Sequence, residues 1–195
     1  MNLEAILNQA LNRDTINQMS QALGTDEGTT ETAVQTALPL LLGAMTQNSS
    51  TPEGASSLLT ALDNDHDGSI LNDLGGFLGG YESGPGSGIL GHIFGEKLGA
   101  AQNGVSQASG LDFGRVARLL MMLAPIVMGA LGKSRQQGQI DQTSLPDVLG
   151  GAARQTASNS PISDILTGML DSNRDGSSLD DLLRMAGGLL GRRGN

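Results

Sequence analysis

An internal repeat constrains this chain more than any other feature. MSQALG, from Met19 to Gly24, returns as VSQASG, from Val105 to Gly110, at an offset of 86 residues. The same offset sets Leu3 against Ile89 and Leu7 against Ile93. It also sets LPLLLGAM (Leu38–Met45) against APIVMGAL (Ala124–Leu131), pairing Pro39 with Pro125 and Gly43 with Gly129. Further on, DNDHDGSILNDL, from Asp63, meets DSNRDGSSLDDL, from Asp171, at an offset of 108. Several matches in one order argue for duplication rather than chance. They divide the chain into a first helical repeat over 1–80 and a second over 88–193, the second carrying an insertion of about 22 residues after Gly132. Residues 81–87, within YESGPGSG, read as a Gly/Ser/Pro linker. Units of this size have limited cores, so the two repeats are expected to pack on each other as one pseudo-symmetric body.

Periodicity makes that body all-α. Leu3, Ile6, Leu7 and Ala10 fall on one helical face, as do Ile16, Met19 and Leu23, with Gly24 placed to end the second helix. Segments 30–47 and 112–133 are apolar nearly all round, which predicts burial. Each contains a proline, Pro39 or Pro125, which either bends its helix or starts a new one. Aromatic residues are 2% of the chain and Trp is absent, so the core must be aliphatic, which suits helices better than sheets. No segment sustains a period of two.

Composition excludes several classes. A net charge of −9 opposes nucleic-acid binding. The absence of cysteine rules out disulfides and thiolate chemistry. Val116–Gly132 is the longest apolar stretch, but it holds Arg118 and Pro125 and falls short of the about 20 residues a membrane span needs; a buried core helix is expected. The N-terminal MNLEAILNQALN lacks a basic region and does not read as a signal peptide. His66 and His92 stand in no catalytic motif, and no GxSxG, P-loop or HExxH pattern occurs. The chain reads as a non-enzyme.

Gly91, Gly95 and Gly99 recur every four residues. On a helix they would form a smooth stripe. Close packing inside the fold is the first expectation for it, and a self-association surface the second.

The two acidic stretches carry the chemistry. Calcium takes roughly six to eight oxygens, and an EF-hand loop supplies them from positions 1, 3, 5, 7 and 12, turning at a glycine in position 6. The first stretch offers Asp63, Asp65, Asp67, Gly68 and Ser69, and the second Asp171, Asn173, Asp175, Gly176 and Ser177. Position 12 is Leu74 or Leu182; the acids Asp73 and Asp181 come one residue early in both, as in a shortened loop. Two calcium sites of modest affinity are expected. The competing reading makes Ser69 and Ser177 helix caps, with Asn72 and Asp180 in a weak capping box.

GILGHIFG (Gly88–Gly95), GVSQASGLD (Gly104–Asp112), LLMMLAPIVMGALGK (Leu119–Lys133) and the C-terminal DSNRDGSSLDDLLRMAGGLLG together resemble a bacterial family known as domain of unknown function 937. That resemblance implies a bacterial origin and supplies no mechanism, since the family carries no established activity. The expected function is a calcium-binding structural or interaction protein that forms homo-oligomers or filaments, extracellular or at the cell surface. The alternative is a cytoplasmic calcium-responsive binding module.

Overall fold

Local chemistry places the helix boundaries. The computed structural model describes residues 2–158. Asn2 and Asn12 accept hydrogen bonds from the N–H of Ala5 and Thr15, opening α1 (Leu3–Ala10) and α2 (Arg13–Leu23). Gly24, at φ 65°, ends α2 in the left-handed conformation that a C-terminal glycine adopts without strain. Asp26 caps α3 (Glu27–Asn48) and Thr51 caps α4 (Pro52–Asn64). A 3₁₀ turn, Ser69–Asn72, leads to α5 (Leu74–Gly79). A second, Tyr81–Ser83, leads to α6 (Gly86–Phe94), and a third, Gly95–Lys97, joins α6 to α7 (Leu98–Ser109). Asp112 caps α8 (Phe113–Gln136), and α9 (Leu145–Ala157) follows. The described residues contain helices and turns and no strand.

Two long helices form the centre. Leu40, Leu41 and Leu42 on α3, and Leu119, Leu120, Met122 and Leu123 on α8, are buried although they point in several directions round their axes. Such helices must be covered on all sides. α9 and α7 pack on α3, while α6, α1 and the Ser69–Asn72 turn pack on α8. One continuous apolar core takes residues from α1 through α9. Buried hydroxyls are satisfied locally: Thr30 and Thr36 donate to the carbonyls of Asp26 and Thr32 at 2.9 and 2.8 Å. α8 is long and apolar enough to cross a membrane, but 78% of its most apolar window is buried within the protein, as expected of a core helix.

Both prolines lie inside continuous helices. Pro125 has no N–H, so the carbonyl of Met121 loses its helical donor. Gly86, at the start of α6, approaches the Met121 backbone so closely that a Cβ there would overlap its carbonyl oxygen. The glycine Cα–H thus faces the freed acceptor, a weak but fitting partner. Tyr81 is buried as well, so the composition-defined linker is anchored to the core at both ends.

Two expectations for the glycine stripe are corrected, that it lies on one helix and that it packs inside the fold. α6 stops at Phe94, and Gly95 takes φ 51° and ψ −127°, a conformation that favours glycine. Gly91, Gly95 and Gly99 therefore do not share a helix. All three are exposed, and no atom stands within 4 Å of a Cβ built on any of them. They do not serve close packing within the described fold.

Candidate functional site

The first acidic stretch joins the end of α4 to α5. The Asp65 N–H closes α4 on the carbonyl of Ala61 at 3.0 Å. The backbone then reverses at Gly68, φ 89°. A Cβ at Gly68 would lie 3.0 Å from Lys133 Cβ and 3.1 Å from the Gly129 carbonyl oxygen. Across the contact, a Cβ at Gly132 would overlap the His66 carbonyl, and one at Gly129 would overlap Ile70 Cγ2. Three glycines, 68, 129 and 132, thus let the loop backbone rest on α8. Gly129 was visible in sequence as the repeat partner of Gly43. Its spacing of three from Gly132, on one helix face, was the overlooked signal.

The carboxylates have separate partners. Asp63 pairs with Arg135, Oδ1 to Nε at 3.3 Å, and Arg135 Nη1 also donates to the Ile140 carbonyl at 3.0 Å. Arg135 therefore ties α4 to the turn before α9. Asp67 accepts the Ser69 N–H at 2.9 Å and Asp73 accepts the Gly76 N–H at 2.8 Å. Asp65 is exposed. Among the described residues, no three His, Asp or Glu side chains are grouped so as to hold a metal ion. Capping also differs from expectation. Ser69 begins a 3₁₀ turn whose preceding residue, Gly68, makes no side-chain cap, and Asp73 is the residue that caps a helix, α5. The second-loop residues Asp171, Asn173, Asp175, Ser177 and Asp181 lie outside the described residues.

The Ser69 side chain, then its N–H, lower the Asp67 carboxyl below its ordinary 3.8. Burial lowers the half-buried His66 imidazole below 6.5, and the neighbouring Asp65 charge only partly opposes this. A lowered histidine pKa means that the folded state resists protonation. Its contribution is present above the unfolded value near 6.5 and is lost as pH falls through the folded value. Thermal melts of His66→Gln should therefore lose less stability than the parent between pH 7 and the mildly acidic range (roughly one unit below the ordinary histidine value). Parallel pH curves would exclude His66 as the cause.

Beside the loop lies a cleft of about 510 Å³ between α3, α4, α6 and α8, lined by Met45, Leu58, His66, His92, Ile93 and Met128 among others. Both histidines of the chain line it. Asn48 Nδ2 donates to the carbonyls of His92 and Ile93 at 3.0 and 2.8 Å, fastening the end of α6 to the end of α3. Sequence could not foresee that the two distant histidines share one cleft, because only tertiary packing brings them there.

These features define an all-helical protein with an acidic turn seated on a central helix. The chain matches the family model described as bacterial protein of unknown function (DUF937) over residues 5–134 and 134–195, and it belongs to that family. No curated protein and no solved structure matches it.

Proposed function

We propose that this is a non-enzymatic structural or interaction protein, built from two duplicated helical units whose acidic loops bind calcium and whose copies assemble outside the cell. The observation that carries the reading is the seat of the first loop. Gly68 turns sharply, as position six of a calcium loop requires, and His66 to Ile70 meet α8 at Gly129 and Gly132. An ion at this loop would act directly on a contact to a central helix. Calcium would have to gather the carboxylates, drawing Asp63 from Arg135 and Asp67 from the Ser69 N–H, and these rearrangements agree with modest affinity. The exposed glycines of α6 and α7 suit the approach of another copy.

Calorimetry and light scattering test this. Calcium in the micromolar to millimolar range (roughly the span of modest sites) is expected to release heat, raise the melting temperature and enlarge the particles. Asp67→Ala combined with Asp175→Ala should abolish all three effects. Absence of calcium heat at millimolar concentration would defeat the reading.

The cleft favours a second reading, a calcium-responsive binding module. Asp65 and His66 belong to the loop and also line the cleft, so an ion at the loop would reshape an apolar wall. In that case calcium changes the fluorescence of a hydrophobic dye while the particle size stays constant.

A further inference from the structure

We infer that the pocket between α2, α5 and α8 binds a small zwitterion of the free amino-acid class, its carboxylate on Arg118 and its ammonium on Glu82. The pocket is an open depression of about 440 Å³, also lined by Gln18, Gln21, Tyr81 and Gly79. Tyr81 is the chain's one tyrosine, and only 8% of its surface is exposed. A buried phenol normally has a firm hydrogen-bond partner. Among the described residues its one partner is Glu82 Oε1 at 3.5 Å, the outer limit of such a bond. The hydroxyl therefore has only this weak protein partner among the described residues, and Tyr81 lines the depression.

Two opposite charges act on that phenol. Burial first, then the Glu82 charge, raise its pKa, while the Arg118 charge lowers it. Glu82 and Arg118, both exposed, line the same depression as Tyr81, yet no ion pair joins them among the described residues. A guanidinium takes a carboxylate through two parallel hydrogen bonds. A ligand ammonium would answer Glu82, and the phenol and the two glutamine amides supply neutral hydrogen bonds. A simple anion would face Glu82 unpaired, and a simple cation would face Arg118 unpaired. Specificity for a molecule carrying both charges follows from those two mismatches. Gly79 leaves the space open, since nothing stands within 4 Å of a Cβ built there.

The test is calorimetry and thermal melting of the full chain with a panel of free L-amino acids, with acetate and methylamine as single-charge controls. At least one amino acid is expected to bind and raise the melting temperature, while acetate and methylamine do neither. Arg118→Gln and Glu82→Gln should each abolish the response. Tyr81→Phe should weaken binding roughly five-fold, the worth of one neutral hydrogen bond. Gly79→Leu should fill the pocket and block binding in a protein that still melts cooperatively. The inference is overturned if no amino acid binds, if acetate or methylamine binds equally well, or if binding survives both charge-removing variants.

Discussion

Gly132→Ala should destabilise the protein by about 1–3 kcal/mol, the usual cost of forcing extra volume into a packed contact. The direction is notable because alanine is normally the better helix former by about 1 kcal/mol. Here the added methyl would overlap the His66 carbonyl, which is backbone and cannot rotate away. Gly129→Ala overlaps the Cγ2 methyl of Ile70, a side chain stiff at χ1 but not backbone, and should cost less. Gly68→Ala adds a different penalty, because φ 89° lies in the left-handed region that costs an L-residue about 1–2 kcal/mol. Urea denaturation of the three variants orders them. If Gly129→Ala proved as costly as Gly132→Ala, the obstacle would not be the loop backbone. If Gly132→Ala were neutral or stabilising, the loop would not be seated on α8 in solution.

That seat also marks the boundary of what the sequence made legible. Helix faces and caps depend on residues three or four apart, so the periodicity of Leu3, Ile6, Leu7 and Ala10, the stop at Gly24 and the start after Asp112 all reappear in the fold. Burial of the two apolar helices was legible for the same reason. The glycine stripe misled because a spacing of four has meaning only on an unbroken helix, and one residue, Gly95, turns the chain out of it. The acidic stretch was legible only in part. Its alternating aspartates fit a calcium loop, but the alternation does not say what each carboxylate meets. Arg135 is 72 residues from Asp63, and Asp73 serves the N–H of Gly76. The first partner is not written in the local pattern; the second, three residues on, is a local cap that competes with a ligand role. The depression lined by Tyr81 and Arg118 was hidden for a like reason, since its walls come from α2, α5 and α8, which only tertiary packing brings together.

Leu41→Ala in α3 and Leu123→Ala in α8 are each expected to cost about 2–5 kcal/mol, among the largest effects that single substitutions produce. Both side chains are fully enclosed, at 0% exposure. A cavity at either site would be bounded by rigid helix backbone and could not collapse completely. The informative comparison is the shape of the transition. Leu41 and Leu123 lie on opposite sides of residues 81–87, yet they belong to one apolar cluster. If that cluster is one thermodynamic unit, each variant lowers a single calorimetric transition for the whole chain, and the ratio of calorimetric to van't Hoff enthalpy stays near unity. If the two repeats were independently stable, Leu41→Ala would shift one transition and leave a second in place. Proteolysis within residues 81–87 gives the same discrimination by another route. Tyr81 is buried and Gly86 is pressed on the Met121 backbone, so cleavage there should require unfolding. The cleavage rate should therefore rise in both variants, about tenfold for each 1.4 kcal/mol of stability lost where cleavage follows the open population.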